Sequence, residues 1–497
     1  MKTNRGAPTP PIAFAHEHPL DDHITTVRIE LDDAFVARLR GVCADVDTDP
    51  ERIGETSRDW WPLAMHWARR DEVGVRASAV ARPSSDDEVV AILRVCNEAR
   101  LPVTAVAGRS GVCGASIPVH GGVALDMTGL TGIRSVDSTS LTVDVRAGTF
   151  GDVFEDTLRA DHALTCGHWP QSMALSTVGG WLACRGAGQF STRYGKIEDI
   201  VQGLDVVLAD GRAITTGGAP RAAVGPDLTQ LFVGSEGTLG IITGARLRAH
   251  PAPDTTRRAA YGFDSFVAAL DAMRRIVQRG ATPAVLRLYD DIEANRSYQT
   301  GDTHLLLAYD EGDAHVIDAA MRIVAECCAG AAPMDDSLVD QWMEHRNNVS
   351  QLEALVSRDI VVDTMEVSGT WAALPAIYEQ ARAAILAVEH AMVASAHQSH
   401  SYTDGGCLYF TFAARPPAEQ KDECYKAMWD AGTRAVLAAG GALSHHHGIG
   451  LNRARFVREA LGGGFDVLAA VKQALDPNGI LNPSKLGLPS PFGDVTW

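Results

Sequence analysis

The feature that most constrains the fold is a glycine-rich loop placed directly after a short apolar run. The run at Val103–Val106 predicts a strand, and the loop Gly108-Arg109-Ser110-Gly111-Val112-Cys113-Gly114 follows it. Because glycine leaves the main chain open, the N–H groups of such a loop can approach a pyrophosphate without obstruction by side chains. The spacing differs from the Gly-x-Gly-x-x-Gly of a nicotinamide-binding fold, and the loop alone is equally compatible with an ordinary tight turn.

Four further clusters follow in order: GHWPQS at 167–172, STVGGW at 176–181, RYG at 193–195 and GSEGTLG at 234–240. With these clusters the chain resembles the vanillyl-alcohol oxidase family of FAD proteins over residues 76–252 and at the C-terminal end. In that family the corresponding segments wrap an extended FAD. A flat isoalloxazine ring needs close backbone contact from small residues, and the glycines at 179, 180, 186 and 188 can supply it.

The resemblance implies an α+β fold. We expect a two-lobed FAD-binding domain of the PCMH type and a cap domain in which helices cover an antiparallel sheet. Pro251 and Pro253 mark the boundary between the two. The predicted division is a lead-in at 1–75, the FAD-binding domain at 76–252, the cap or substrate domain at 253–430 and a C-terminal segment at 431–497 that returns to the flavin.

The resemblance also implies FAD as the cofactor. Ser110 stands where some relatives place a histidine that bonds covalently to the flavin, so we expect FAD to be dissociable. The residues expected to bind it are mainly small or polar and come from the clusters above: Ala107, Gly108, Arg109, Ser110, Gly111, Val112, Pro170, Gln171, Ser172, Ser176, Thr177, Gly179, Gly180, Cys184, Gly186, Tyr194, Glu236, Gly237, Thr238, Leu239, Gly240, Ile241 and Ile242.

Local patterns predict the elements around these clusters. A Ser-Ser-Asp run at 84–86 can cap a helix whose apolar positions recur at helical spacing. Short apolar runs around Val123, Ile133 and Val143 are typical of strands, and we assign all three to a second lobe. Two apolar runs separated by an Asp-Gly turn at 210–211 predict a hairpin.

Three places outside the flavin domain bear on the reaction, and the first is a run of histidines, His445, His446 and His447, followed by Gly-Ile-Gly. Neutral imidazoles can move protons near neutral pH or bind a metal, whereas a run of this kind can also be a solvated surface segment. Its position inside the chain between apolar residues favours a functional role.

The second place contains Tyr402 and Tyr409. In metal-assisted 2-hydroxyacid dehydrogenases of this family, two histidines with the same separation are metal ligands. Phenol binds divalent ions poorly at neutral pH, so we expect no metal site.

The third place is Arg287, a cation in the apolar strand Ala284-Val285-Leu286-Arg287-Leu288. It must pair with a structural carboxylate or with the phosphate or carboxylate of a ligand, and the two alternatives remain equal.

Together these places resemble the alkyl-dihydroxyacetonephosphate synthases. The resemblance implies exchange of the acyl group of acyl-dihydroxyacetone phosphate for a fatty alcohol, a step of ether lipid synthesis. We assign Tyr402 as the acid/base, with His446 and His447 orienting groups and sharing protons and His445 supporting them. Arg287 would bind the substrate phosphate or orient the groups that face the flavin. The alternatives are a 2-hydroxyacid oxidase or dehydrogenase, to which DPNGILNPSKL at 476–486 is similar, and a flavin-holding subunit that only passes electrons.

Composition excludes some partners. The net charge of −18 repels nucleic acid and anionic membrane surfaces. Nine cysteines without a CxxC predict reduced thiols. The first twenty residues lack the pattern of a secretory signal, and we find no apolar run long enough to span a bilayer, so a cytoplasmic protein is expected. We expect a small-molecule or lipid substrate and a homodimer, and leave peripheral membrane contact open.

Overall fold

The structure is a computed structural model that describes residues 23–497, without the side chains of residues 350 and 351. The first part of the predicted lead-in, residues 1–22, therefore lies outside the described residues. Within the rest of the lead-in, residues 53–68 are largely buried against the rest of the chain. Trp61 and Trp67 are almost completely buried, and their rings meet edge to face at 5.4 Å.

The FAD-binding part contains two sheets, one for each lobe. The first has four strands, parallel except at one edge, in the order Val46–Asp47, Ala79–Ala81, Val123–Asp126 and Val103–Val106. The second has five antiparallel strands in the order Ile133–Asp137, Thr142–Arg146, Ile241–Arg248, Val201–Val207 and Ala213–Thr215.

One strand assignment was wrong. The run around Val123 belongs to the first lobe, where residues 123–126 pair in parallel with both neighbouring strands. The runs around Ile133 and Val143 belong to the second lobe, as expected. Helix Asp86–Ala99 explains the difference, because it packs on the first sheet as a crossover between two parallel strands and leaves room for a third strand between them.

The predicted N-terminal cap of the helix and the predicted hairpin are both present. Ser85 caps helix Asp86–Ala99 by accepting a hydrogen bond from the Glu88 N–H at 3.2 Å. Strands Val201–Val207 and Ala213–Thr215 pair across the Asp-Gly turn. The other helices before the cap sheet are Asp33–Arg40, Pro50–Thr56, Pro62–Ala68, Gly151–His162, Val178–Cys184, Ser191–Tyr194, Ile197–Ile200 and Leu228–Phe232.

The cap is built on a seven-stranded antiparallel sheet. Its order is Ala332–Met334, Thr255–Phe263, His304–Gly312, Val285–Tyr289, Ala391–Ser401, Gly405–Ala414 and Val361–Thr370. Four helices pack on one face and bury its apolar side chains: Phe266–Gln278, Ala314–Cys327, Leu374–Leu386 and Lys421–Ala438. The remaining cap helices are Asp291–Tyr298, Ser337–His345 and Ser350–Ser357.

Strand alternation determines what the opposite face of this sheet carries. Leu286 and Leu288 lie in the core under the helices, so Arg287 between them points the other way. Phe410 and Phe412 are likewise in the core, whereas Tyr409 faces the flavin domain. The cap therefore presents a polar face toward the FAD-binding part.

The C-terminal segment runs back to the glycine loop. It contains helices Val457–Leu461 and Gly464–Leu475. The Val103 N–H donates to the Ile480 carbonyl at 2.8 Å, and Lys485 Nζ donates to the Ile117 carbonyl at 2.6 Å. Across residues 23–497, none of the helices has the length and apolar character needed to cross a membrane. All nine cysteines are free thiols.

Candidate active site

A large cavity of about 1020 Å³ lies between the FAD-binding part and the polar face of the cap sheet. This volume is at the upper end of the range for small-molecule sites, about 300–1,000 Å³. The cavity has two walls, which differ in the part of the protein that forms them. One wall is formed mostly by loops of the two lobes and the other by side chains of the cap strands.

The lobe wall contains most of the residues predicted to bind FAD. Those at the cavity are Ala107, Gly108, Arg109, Ser110, Gly111, Val112, Pro170, Gln171, Ser172, Ser176, Thr177, Gly179, Gly180, Cys184, Gly186, Glu236, Gly237, Gly240, Ile241 and Ile242. Three others, Tyr194, Thr238 and Leu239, do not line it. The Tyr194 hydroxyl donates to Glu311 of the cap strand His304–Gly312 at 2.8 Å, and Thr238 donates to the Ser235 carbonyl of its own loop at 2.7 Å.

The glycine loop turns its main chain toward the cavity. Arg109 has φ +55°, in the left-handed region, and its guanidinium reaches away to the Glu55 carbonyl. At Gly111 an added Cβ would come no closer than 3.6 Å to any protein atom, although the residue lines the cavity. The loop thus leaves open space of the kind that close contact with a cofactor requires.

An orphaned polar side chain on this wall also fits a bound cofactor. His168 is completely buried and lines the cavity, yet neither ring nitrogen has a protein hydrogen-bond partner. Burial lowers the pKa of His168 to about 3, so the ring is a neutral donor and acceptor at pH 7. Buried polar groups are normally satisfied, so the unpartnered nitrogens are consistent with an FAD polar atom in this wall.

Arg287 is fixed at the centre of the cap wall. Its Nε donates to the Tyr289 hydroxyl at 2.7 Å, and its Nη2 lies 2.7 Å from His397 Nε2. The guanidinium lies over the rings of Tyr289 and Trp342. The side chain is half buried and reaches the cavity, so a cation with a defined orientation faces whatever occupies it.

His397 holds Arg287 in place through a buried carboxylate. His397 Nδ1 lies 2.8 Å from Glu293 Oε2. Burial and the Arg287 charge lower the pKa of His397 to about 4, so the imidazole is neutral at pH 7. In that state Nδ1–H donates to Glu293, and Nε2 accepts from Arg287. Among residues 23–497, no Asp or Glu forms an ion pair with Arg287, and the buried Glu293 is connected to it through His397.

The histidine run is held by one buried carboxylate from the cap. Glu366 Oε1 accepts the N–H groups of His445, His446 and His447 at 3.1, 2.9 and 2.7 Å. Its Oε2 forms an ion pair with the buried Arg453. Although burial acts to raise it, the pKa of Glu366 lies well below its ordinary value because Arg453 stabilises the charge. The carboxylate therefore fixes the main chain of all three histidines.

A second carboxylate, from the FAD-binding part, holds the Gly-Ile-Gly that follows. Glu236 Oε1 accepts from the Ile449 N–H at 2.5 Å, and its Oε2 accepts from the Gly450 N–H at 2.9 Å. Gly448 has φ +80°, and an added Cβ there would lie 2.3 Å from Glu236. Only glycine fits this approach. The segment at 445–450 is thus clamped at both ends, once by each part of the protein.

The structure corrects the position assigned to Tyr402. His446, His447 and Arg287 line the cavity, but Tyr402 and His445 do not. The Tyr402 hydroxyl lies 2.7 Å from His445 Nε2, and His445 Nδ1 lies 2.8 Å from His446 Nδ1. Tyr402 occupies the turn between two strands, behind the histidines. Tyr402 therefore does not line the cavity, where Tyr409 is the tyrosine of this segment, and the acid/base role of Tyr402 stays a prediction.

Several residues of the site were missed by the sequence reasoning. Tyr409 had been considered only as a lost metal ligand; its hydroxyl donates to Thr364 at 3.0 Å, and its ring stacks on His397 at 4.7 Å. His397 and His400 also line the cavity. The signal that could have found His397 and Tyr409 is the alternation of polar and apolar residues along the two strands.

Three imidazoles converge beside the cavity. Nitrogens of His400, His445 and His446 lie within 4.8 Å of one another, a group that could hold a metal ion. In each case burial is the largest cause of a pKa well below the ordinary value, so all three are neutral. The absence of a metal nevertheless remains the prediction, because His445 has a hydrogen-bond partner at both nitrogens.

The fold and this cavity define a flavoprotein with an FAD-binding domain and a substrate-covering cap. Residues 77–217 match the family of FAD binding domains, and residues 252–486 match the C-terminal domain of FAD linked oxidases. Together the two matches cover most of the chain. The chain therefore contains an FAD binding domain and the C-terminal domain of FAD linked oxidases, and its cofactor is FAD.

Curated relatives include proteins of different activities. The chain is 29% identical over 470 residues to the alkyldihydroxyacetonephosphate synthase of Dictyostelium discoideum, covering 84% of this chain and 75% of that protein. It is 29% identical over 430 residues to the glycolate oxidase subunit GlcD of Bacillus subtilis, covering 82% and 88%. It is also 29% identical over 431 residues to the FAD-linked oxidoreductase YgcU of Escherichia coli O157:H7, covering 82% and 88%.

Solved structures confirm the predicted fold. An alkyldihydroxyacetonephosphate synthase superposes with a TM-score of 0.75 at 23% identity, covering 96% of this chain and 89% of that one. p-Cresol methylhydroxylase superposes with a TM-score of 0.77 at 16% identity, covering 94% and 99%. The α+β architecture with a PCMH-type FAD-binding domain and an antiparallel cap sheet is therefore correct.

Proposed function

We propose that this enzyme exchanges the acyl group of acyl-dihydroxyacetone phosphate for a fatty alcohol. The observation that carries the proposal is the combination in one cavity of a fixed cation, neutral imidazoles and an apolar wall. A phosphorylated ketone with a long acyl chain needs all three. The synthase relatives described above support the same assignment.

Arg287 is suited to the phosphate of this substrate. Its Nε and Nη2 are engaged by Tyr289 and His397, and the guanidinium still reaches the cavity. Arginine in a fixed orientation binds a phosphate with two parallel hydrogen bonds, and its charge offsets the overall negative charge of the chain, which opposes such a ligand.

The fatty chains would lie against an apolar part of the cavity wall. This part includes four side chains from the segment at 349–355 and the strand Val361–Thr370: Val349, Leu352, Leu355 and Val362. Burying methylene groups contributes about 0.8 kcal/mol each. A long acyl or alkyl chain would therefore bind there, whereas a short hydroxyacid would leave that wall uncovered.

The proton steps belong to the imidazoles at the cavity. FAD, held by the lobe wall, supplies an electrophilic ring system when bound. A proton must leave the carbon beside the substrate carbonyl, and His446 and His447 are the groups that could accept it. Burial keeps His446 neutral and ready to act as a base. Tyr402 acts through His445, as a residue that holds and passes a proton.

The direct test uses acyl-dihydroxyacetone phosphate and labelled hexadecanol. The enzyme should form labelled alkyl product, and Arg287→Met should lower kcat/KM by about 30-fold to several thousand-fold, as loss of one partner of a buried charge pair costs about 2–5 kcal/mol. FAD content should be unchanged. As a control, Arg257→Met, on an exposed arginine paired with Asp318, should retain full activity.

A second candidate is a 2-hydroxyacid oxidase or dehydrogenase, favoured by the relative GlcD at equal identity. In that reaction the cavity histidines would take the hydroxyl proton of the substrate. Anaerobic mixing of the enzyme with D-lactate, D-2-hydroxyglutarate or glycolate would bleach the flavin absorbance. Bleaching together with no labelled alkyl product would replace the synthase proposal with this one.

A further inference from the structure

A β-bulge turns a histidine without an assigned role toward the cavity. In strand Ala391–Ser401, the pairing with the next strand passes over Ser399. Strict alternation would place His397 and Ser399 on the cavity face and His400 on the other face. All three line the cavity, because the bulge rotates His400 to the same face. Bulges recur beside active sites, where they redirect a side chain, so His400 is a candidate for a role in the reaction.

Ser191 determines which nitrogen of the His400 ring carries the hydrogen. The Ser191 hydroxyl is buried at the start of the short helix Ser191–Tyr194 and lies 2.6 Å from His400 Nδ1. Among residues 23–497 this hydroxyl forms no other hydrogen bond. A buried hydroxyl hydrogen without an acceptor is unfavourable, so Ser191 donates and Nδ1 accepts. In a neutral imidazole the ring hydrogen then lies on Nε2.

The surroundings of His400 keep it neutral and leave Nε2 available to a ligand. The pKa of His400 lies well below its ordinary value, mainly because the ring is buried, and the charges of Arg287 and Lys196 lower it further. The ring is therefore a weak base at pH 7. Nε2 forms no hydrogen bond with residues 23–497, so its N–H can donate to a molecule in the cavity. The charge of Arg287 would also stabilise a negative oxygen there.

We propose that His400 Nε2–H donates a hydrogen bond to the carbonyl oxygen of the substrate and stabilises the negative charge that develops on it, with Ser191 as its positioning residue. The inference rests on the proposed function and deepens it. In that reaction the bond between carbon and hydrogen beside the carbonyl breaks, and the proton passes to His446 or His447. The electron pair forms a carbon–carbon double bond, and the carbonyl π electrons move to the oxygen that His400 contacts.

The positions of the histidines suit this division of roles. The ring centroids of His400 and His446 lie 5.1 Å apart, with the planes at 65°. A base and a donor this close can reach the carbon and the oxygen of one carbonyl group at the same time. His446 Nδ1 is engaged by His445, which leaves Nε2 of His446 for the proton.

A metal ion is a weaker explanation for these histidines. Two nitrogens bound to one ion at about 2.0–2.1 Å in tetrahedral geometry would stand well over 3 Å apart. The Nδ1 atoms of His445 and His446 are 2.8 Å apart, an ordinary hydrogen-bond separation. An ion shared with His400 through these atoms would have to separate them and break the bond.

The kinetic test compares His400→Leu with His400→Gln, whose amide keeps an N–H donor but cannot act as a base. In the hexadecanol exchange assay, His400→Leu should lower kcat by about 100-fold to 1,000-fold, as loss of one oxyanion donor does. His400→Gln should recover part of the rate. Ser191→Ala should cause a smaller loss that Ser191→Thr reverses. The matched control is Thr192→Val, since the Thr192 hydroxyl contacts only the Ser401 N–H at 3.3 Å.

A spectroscopic test needs no turnover. In the FAD-loaded enzyme, the infrared carbonyl stretch of bound dihydroxyacetone phosphate should lie at lower frequency than in solution, because a hydrogen bond from His400 polarises the carbonyl. His400→Leu should move the stretch back toward the solution value, and Thr192→Val should leave it unchanged.

Several results would overturn the donor role. These are an unchanged kcat in FAD-loaded, folded His400→Leu, an equal loss in His400→Leu and His400→Gln, and a carbonyl stretch that is the same with and without the histidine. Failure to bind dihydroxyacetone phosphate would overturn it as well. If the unsubstituted enzyme makes no alkyl product but the stretch depends on His400, the proposed function fails and the donor role stands.

Discussion

The two walls of the cavity differ in what they are made of. The lobe wall presents main chain and small side chains, as in the loop at 107–112, together with the fully buried, neutral His168. The cap wall presents arginine, histidine and tyrosine side chains that are hydrogen-bonded to neighbouring side chains of the same wall. The first wall is suited to holding a cofactor whose chemistry is fixed, and the second determines which substrate that chemistry meets.

This contrast predicts different consequences of substitution. On the cap wall a single change breaks a network of charged and hydrogen-bonded groups, so folding and activity should both suffer. On the lobe wall the damage should be confined to FAD affinity, because few side chains there depend on one another. Three predictions test the contrast, beginning with the strongest effect.

Glu366→Gln should produce the largest loss of stability. The substitution leaves Arg453, which is completely buried, without its charge partner. Breaking a buried pair in this way costs about 3–5 kcal/mol of unfolding free energy. The midpoint of thermal unfolding should fall accordingly. The double variant Glu366→Gln with Arg453→Met should recover part of the loss. If Glu366→Gln alone were as stable as the unsubstituted enzyme, the stabilising role of the Glu366–Arg453 pair would be contradicted.

Gly111→Ala should weaken FAD binding without destabilising the apoprotein. The added methyl has room within the protein, since its nearest protein atom is 3.6 Å away, but it enters the wall of the cavity. We expect the dissociation constant for FAD to rise by about 10-fold, equivalent to about 1.4 kcal/mol. Fluorescence titration of the apoprotein measures it. Gly330→Ala, where the methyl meets no atom within 4 Å, should bind FAD normally.

His168→Leu should reduce the pH dependence of apoprotein stability. Because burial lowers the pKa of His168 to about 3, the unfolded chain takes up this proton first as pH falls below about 6.5. Stability is therefore lost on acidification from pH 6.5 toward 3. Each such histidine contributes at most about 1.4 kcal/mol per pH unit. Urea unfolding between pH 7 and 5 should show a shallower slope for His168→Leu and no change for exposed His315→Leu.

The lobe wall could be predicted from sequence because its signals are local. In the glycine loop and in the clusters at 167–181 and 234–240, a few neighbouring residues are enough to indicate close contact between the main chain and a cofactor. Most of the residues predicted to bind FAD line the cavity. Among the exceptions, Tyr194 turns away and donates a hydrogen bond to Glu311 of a cap strand.

The cap wall was harder to predict because its contacts join distant parts of the chain. Glu366 and the histidine run are about eighty residues apart in sequence but share four hydrogen bonds when Ser444 is included. Tyr402 does not line the cavity for a different reason, which is local. The pairing of its strand shifts register between Gln398 and His400, and the residue then falls in the turn, so simple alternation fails there.

The segment at 445–450 has one more implication, which concerns how the substrate reaches the interior. One carboxylate from each part accepts hydrogen bonds from its main chain, so this segment connects the FAD-binding part to the cap. A large hinge opening at this edge would break both sets of hydrogen bonds at once. We expect the substrate to enter instead beside the stretch that joins helices Ser337–His345 and Ser350–Ser357, which lines the cavity. Gln171 donates one hydrogen bond to its main chain, and Gln189 shares two with Arg346.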